Sequence, residues 1–329
     1  MNQDYILKIE NVKKYYPIDN SIFLRKISFI KSVDGVSFNI ERGKSLGLVG
    51  ESGCGKSTIS RCILNLIEPT YGRVEFQDKI IYDVENKINI DKKEMIKLRK
   101  DMQIIFQDPY SSLDPKMTIG KIISSGIKKH QIAQGEYALN LAKDMLNLCG
   151  LDESYINRYP HELSGGQRQR IGIARALSLN PKFVICDEPT AALDVSVQAQ
   201  ILNLMLDLKD KLNLTYLFIS HNLNVVKFFC DEIAVMYLGV IVEKAPSYSI
   251  YNKPFHPYTK GLISSIPKTH PNIKKERILF KGQLSSNSED FKGCRFSTRC
   301  PFSKKMCMSK TPVYKEVEKN HFVACHLYE

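Results

Sequence analysis

Compact apolar runs separated by helical patterns give the first expectation for this chain. Leu46–Val49 has the texture of a buried strand and breaks into the glycine-rich stretch GESGCGKS. Ser57–Ile67 (STISRCILNLI) then carries apolar residues at helical spacing until Pro69 stops it. Strand, loop and helix in that order form one unit of an α/β fold. Phe183–Cys186 and Tyr216–Ser220 are further runs rich in β-branched and aromatic residues without polar alternation, as parallel strands covered on both faces should be. Residues 109–180 begin turn-rich (DPYSSLDP), become periodic near 136–149 and end in RQRIGIARALSL, which predicts a mainly helical insertion into the α/β core. From about Ala245, Pro246, Pro254, Pro257, Pro267 and Pro271 punctuate a basic stretch without strong periodicity. The expected division is therefore 1–244 for the core and 245–329 for an appended region.

Composition narrows the class without naming a task. At 329 residues, 43% hydrophobic and 25% charged, the chain has the makeup of a globular protein, and disorder, collagen and coiled coil are excluded. Its longest apolar run, Ile233–Val242, is ten residues, well below the roughly eighteen a spanning helix needs. MNQDYILKIE lacks the basic-then-apolar layout of a signal peptide, so neither a membrane span nor export is expected. The net charge is 47 − 35 = +12, of which residues 241–329 contribute 16 − 7 = +9 and the first 240 only 31 − 28 = +3. Cys54, Cys62, Cys149, Cys186 and Cys230 are scattered, whereas Cys294, Cys300, Cys307 and Cys325 fall within the last 36 residues. In a reducing compartment such a cluster favours metal ligation over disulfides.

Chemistry enters with Gly50–Ser57, which fits G-x-x-x-x-G-K-[ST] between a predicted strand and a predicted helix. Glycines let the backbone curl so that its N–H groups point at phosphate oxygens, at the positive end of a helix dipole. Lys56 reaches the β and γ phosphates of a nucleotide and Ser57 offers a hydroxyl to Mg²⁺; Cys54 occupies a variable position as a small filler. In FVICDEPT, four apolar residues deliver Asp187 and Glu188 to the carboxyl end of a strand, where ligands bind in open α/β sheets. One carboxylate can hold the metal while its neighbour faces an attacking water.

The remaining motifs resemble one family. LSGGQ (Leu163–Gln167), followed by RQRIGIARAL, resembles the signature of ATP-binding cassette (ABC) ATPases. In the family's order, QIIFQDP supplies the glutamine-loop residue Gln107, AALD (Ala191–Asp194) resembles the D-loop, and His221 after YLFIS resembles the switch histidine. The resemblance covers residues 5–243. It implies a P-loop NTPase (RecA-like) ABC nucleotide-binding domain of the α/β class, with a helical subdomain at about 109–180 and a Cys-rich C-terminal extension. It further implies ATP cradled by Gly50, Glu51, Ser52, Gly53, Cys54, Gly55, Lys56, Ser57 and Thr58, with Ser57, Gln107 and Asp187 as Mg²⁺ ligands. Glu188 is the implied general base or water polariser, His221 the γ-phosphate sensor, and Tyr16 the adenine-stacking aromatic with Tyr15 as neighbouring candidate. Ser164, Gly165, Gly166 and Gln167 would face ATP on a partner subunit, which implies a head-to-tail dimer.

Three stretches narrow the resemblance. MQIIFQDPYSSLDP (Met102–Pro115), the opening from Val12 to Phe38 and PFHPYTKGLISSIP (Phe255–Pro267) are similar to ATPase subunits of bacterial oligopeptide and dipeptide importers, more narrowly to the F-type member of a D/F pair. His256, Pro257, Tyr258 and Thr259 form that family's HPYT motif and are expected to pack the tail, not to bind a ligand. The implied partners are a second, D-type ATPase subunit, two transmembrane permease subunits and, indirectly, an extracytoplasmic peptide-binding protein, at the cytoplasmic face of the membrane and without nucleic acid. Five, six and seventeen residues separate successive tail cysteines, and the resemblance suggests a [4Fe-4S] cluster on Cys294, Cys300, Cys307 and Cys325, with Zn²⁺ as the alternative and His326 as a possible substitute ligand. The competing readings are a cassette acting on nucleic acid or ribosomes, which +12 superficially favours, and an importer of another solute such as nickel chelates.

Overall fold

Strands whose every residue is buried need partners on both sides, and that requirement organises each of the two units into which the chain divides. The computed structural model describes residues 4–18, 28–191, 193–266, 278, 280 and 291–329. One unit comprises residues up to Ile6, Glu41–Lys44 and Ile90–Phe218; the other comprises Leu7–Ile40, Ser45–Asn89 and Ile219–Glu329. Among the described residues no helix is long and apolar enough to cross a membrane.

In the first unit Met102–Ile105 and Phe183–Asp187 pair in parallel, from Met102 opposite Phe183 to Ile105 opposite Cys186. Thr215–Ser220 lies on the other side of Phe183–Asp187. Both Phe183–Asp187 and Thr215–Ser220 are buried at every position, which is why they read as continuous apolar runs. The insertion contains Ile119–Lys129, Gly135–Leu148 and Gly165–Leu177 as its main helices. Ile127, Ala133 and Ala138, with Leu141 against them, make a small core of their own. Val195–Leu212 buries Ile201, Leu202, Met205 and Leu208, one stripe of the helix, and ends at Asn213 in the left-handed conformation.

In the second unit an antiparallel sheet runs in the order Ser28–Glu41, Tyr5–Ile18, Tyr71–Phe76, Lys79–Asp83, Ile88–Asn89. Positive φ at Gln77 and Asp78 (49° and 60°) closes its tight hairpin. A second set begins with Ser45–Val49, which pairs in parallel with Glu232–Tyr237, and the latter turns back antiparallel into Val240–Pro246. The helix after the glycine-rich loop spans Lys56–Ile63, shorter than the expected Ser57–Ile67, because Leu64 caps it and Asn65 takes φ 50°.

The described parts of the tail carry more regular structure than their sequence pattern implies. Instead of lying apart as an unpatterned appendage, the tail adds His321–Ala324 to the Val240–Pro246 edge and Tyr314–Glu318 outside that. Glu243, with no exposed surface, accepts hydrogen bonds from the Phe255 and His256 N–H groups at 2.7 and 3.0 Å, and His321 Nε2 lies 2.7 Å from the same carboxylate. His256 Nδ1 in turn accepts from Tyr258 N at 3.1 Å and caps the Pro257–Ser264 helix. Tyr237, Tyr258, Phe280 and Phe296 form an aromatic core with ring centroids 4.7 to 5.8 Å apart.

Burial pushes His256 down to about 4, Glu243 opposing and Lys260 assisting. The unfolded side chain takes up its proton near 6.5, so this residue's contribution to stability is present above that pH and is lost as pH falls toward 4. We expect a loss of about 3 kcal/mol between those limits that His256→Asn, which keeps a cap acceptor, removes. Urea melts of both proteins at pH 7 and 4.5 measure it; parallel pH dependence would refute the assignment.

Candidate active site

The phosphate loop is shaped by crowding. Ser45–Val49 leads directly into Gly50, where a Cβ would strike the Met236 carbonyl oxygen. Gly53 has φ 77° and open space around it, whereas Gly55, at φ 108°, would drive a Cβ into the Ser32 carbonyl oxygen. Lys56 begins the helix, and its buried Nζ donates to Gly50 O at 2.9 Å and Glu51 O at 3.0 Å, folding the loop back over its own start. Thr58 Oγ1 accepts from Ser32 Oγ at 2.9 Å. Cys54 is 2% exposed and burial pushes its thiol upward, so it stays a neutral filler beneath the loop. Ser52 and Gly53 complete the turn, with Ser57 in the first helical turn.

Glu51 is tied down from the tail. Its N–H donates to Tyr258 Oη at 3.0 Å, and Arg299 holds its carboxylate with Nη1 at 2.8 Å and Nη2 at 3.2 Å. Neither partner was foreseen as part of the site. Tyr258 lies inside a motif whose sequence points only to packing of the tail, and Arg299, next to Cys300, belongs to no motif. Of the two aromatic candidates, Tyr15 donates its hydroxyl to Asp34, which also receives Arg295. Tyr16 keeps 37% of its surface exposed, with Lys14 Nζ over its ring at 5.0 Å from the centre.

The other unit gathers the carboxylates and the glutamine. Asp187 is buried at the end of Phe183–Asp187, and Glu188 follows with φ 49°, a left-handed backbone that costs a non-glycine residue energy. Gln107 Nε2 donates to Glu188 Oε2 at 3.4 Å, so two predicted residues from distant segments meet. The signature segment forms a capping box: Gln167 N donates to Ser164 Oγ at 3.3 Å and Ser164 N to Gln167 Oε1 at 2.9 Å. That puts Gly165 and Gly166 in the first turn of a thirteen-residue helix. A Cβ on Gly166 would lie 2.6 Å from Val197 Cγ1, at the start of the helix that Asp194 caps. Of the D-loop, Ala192 lies outside the described residues; His221 follows Thr215–Ser220 directly and is exposed.

The cysteine expectation is corrected. Among the described residues no group of three or more His, Cys, Asp or Glu side chains is disposed to hold a metal ion, so the tail [4Fe-4S] cluster and its Zn²⁺ alternative are set aside. Cys294, Cys300, Cys307 and Cys325 do line one pocket, together with His256, Phe296 and His326. They are free cysteines, and burial pushes Cys294 up to about 12 and Cys325 up to about 11. His326 has both ring nitrogens engaged, Nδ1 with Glu329 and Nε2 with the Lys310 carbonyl oxygen, each at 2.7 Å.

With this geometry in place, comparison with known proteins is direct. Residues 33–191 match the ABC transporter family and residues 242–307 the oligopeptide/dipeptide transporter, C-terminal region. The chain belongs to the ABC transporter ATP-binding family. It is 47% identical to the oligopeptide transport ATP-binding protein AppF of Bacillus subtilis (strain 168), over 99% of this chain and 98% of that one. The dipeptide transport ATP-binding protein DppF of Haemophilus influenzae is 43% identical over 97% and 96% respectively. A dimeric post-hydrolysis state of the ATP-binding cassette MJ0796 bound to ADP and Pi matches at 29% identity with a TM-score of 0.63, covering 73% of this chain and 98% of that one. This protein is accordingly an ABC ATPase.

The crowding around the loop separates two glycines of this cassette that look alike in sequence. Gly53→Ala costs only backbone strain, about 1 kcal/mol, and retains nucleotide binding. Gly55→Ala, blocked by the Ser32 carbonyl oxygen, costs more and abolishes binding. Urea melts with fluorescence titration of an ATP analogue check both; equal effects would show that the wall at Ser32 gives way.

Proposed function

We propose that this ATPase is the subunit that energises import of peptides across the cytoplasmic membrane, lying peripherally on two permease subunits and paired with a second cassette, a D-type paralogue. The observation that carries this reading is similarity, along nearly the whole chain, to transport ATP-binding proteins of oligopeptides and dipeptides, with the tail region of that family present as well as the cassette. Full-length similarity to transport subunits favours it over a cassette for nucleic acid or ribosomes, and over an importer of nickel chelates. The modest +3 of the first 240 residues points the same way.

In this mechanism phosphoryl transfer to water is chiefly positioning and charge stabilisation. Lys56, held over the loop by the Gly50 and Glu51 carbonyl oxygens, reaches the β- and γ-phosphate oxygens. Loop amides from Gly50 to Thr58 carry the phosphates at the start of the Lys56–Ile63 helix. Ser57, Gln107 and Asp187 would supply the oxygen donors for Mg²⁺, which when bound would neutralise phosphate charge. Glu188, its carboxylate steadied by Gln107, takes the water proton, and His221 contacts the γ-phosphate. Tyr16 stacks on adenine. Ser164, Gly165, Gly166 and Gln167 present a capped helix start to ATP held by the paired subunit, which needs the close approach that two glycines permit.

Glu188→Gln should lower the ATPase rate of the reconstituted transporter by about a hundred-fold or more while ATP still binds, and peptide uptake should fail with it. Wild-type turnover in that variant would remove Glu188 from the role of base.

A further inference from the structure

A carboxylate at the second position of a phosphate loop is electrostatically awkward. The loop exists to receive a polyanion, and nothing in phosphate binding calls for Glu51 to be acidic. The structure supplies the compensation from the far end of the chain. Arg299, 8% exposed, engages both Glu51 carboxylate oxygens with two guanidinium nitrogens, the fork geometry that is strongest between these groups. Arg299 Nη1 also lies 3.4 Å from Tyr237 Oη, and Phe280 sits under the guanidinium at 5.0 Å. The same residue's peptide N–H is held by Tyr258, a side chain with no exposed surface, stacked edge-on against Tyr237 at 4.7 Å. Glu51 O accepts from Lys56, so one residue carries the tail's grip and the loop lysine's anchor together.

We propose that Arg299 and Tyr258 are positioning residues for the phosphate loop, Arg299 cancelling the Glu51 charge and Tyr258 fixing its peptide, so that ATP affinity depends on the folded tail. The proposal rests on the ATPase reading above and adds a regulatory dependence to that site. Two effects combine in it. An unpaired Glu51 carboxylate repels the incoming triphosphate, and a released Glu51 peptide lets the Lys56 anchor shift.

The repulsive effect gives the test its sign. Titrating the full-length chain with a fluorescent ATP analogue and Mg²⁺, we expect Arg299→Ala to weaken binding about ten-fold, because a partly buried carboxylate loses the cation paired with it among the described residues. Adding Glu51→Gln to Arg299→Ala should restore affinity to within about three-fold of wild type, since the repulsion goes with the charge. Arg299→Lys, which keeps the charge but not the fork, should fall between. In the reconstituted transporter the loss should appear in KM for ATP with kcat within about two-fold. A double variant no tighter than Arg299→Ala would reduce Arg299 to a packing role and overturn the proposal, as would unchanged affinity in Arg299→Ala. Should Arg299→Ala not fold, Tyr258→Phe, which removes only a hydroxyl, decides: wild-type affinity there with wild-type affinity in Arg299→Lys overturns it. If wild-type chain itself binds no ATP analogue, the ATPase reading fails instead.

Discussion

Glu243 carries a carboxylate with no exposed surface, and the C-terminal half of its unit is arranged around satisfying it. Leaving such a charge without partners would cost several kcal/mol. Its oxygens take the Phe255 and His256 N–H groups and face His321, so one side chain ties the strand Val240–Pro246 to the start of the Pro257–Ser264 helix and to the strand His321–Ala324. Phe255, Val323 and Cys325 pack beside it, with Val317 and Tyr328 against them. Because the helix start is placed this way, Tyr258 is placed too, and the aromatic core with Tyr237 and Phe296 follows. The HPYT residues thus act through capping and packing, and the loop contact of Tyr258 comes from where the buried charge sets the helix.

The phosphate loop shows the same dependence of a flexible-looking sequence on rigid surroundings. Glycines are needed at 50 and 55 because neighbouring carbonyl oxygens, of Met236 and Ser32, occupy the space a side chain would take. Met236 belongs to the strand paired in parallel with Ser45–Val49, so sheet and loop wall are one structure. A loop closed in by backbone cannot rearrange cheaply, and a site that needs little ordering on binding retains more of its interaction energy. In the other unit the left-handed Glu188 is a comparable constraint, a costly conformation held by the strand before it and by Gln107.

How much of this was legible depended on whether chemistry or packing chose the residues. Gly50–Ser57, Asp187, Glu188, Gln107 and the Ser164–Gln167 segment stand out in the sequence because phosphate binding demands particular residues at particular spacings, and the structure brings Gln107 to Glu188 and caps the Ser164 helix start. The buried strands Phe183–Asp187 and Thr215–Ser220 could be read because full burial removes alternation. The tail strands could not: Tyr314–Glu318 and His321–Ala324 are five and four residues long, and their place is chosen by the free edge of Val240–Pro246 and by Glu243. Arg299 was hidden because a bond between positions 51 and 299 leaves no local pattern. The cysteines misled for the opposite reason. Closeness in sequence did become closeness in space, but lining a pocket is a weaker condition than presenting four sulfurs to one point at bonding distance.

The basic tail can now be divided by what its charges face. Arg295 is paired with Asp34 and reaches the Leu238 carbonyl oxygen, and Arg299 is paired with Glu51, so two of the tail's cations neutralise carboxylates in the segment matched to the ABC transporter family. Counted with their partners, they add nothing to the field outside the protein. Lys304, Lys305, Lys310 and Lys319 are exposed and do contribute to it. A sum of +12 merges these two populations, although one holds the chain together and only the other can attract a partner across a Debye length of about 8 Å. Basic charge on a nucleotide-binding protein therefore argues for nucleic acid only after its inward-facing arginines have been subtracted.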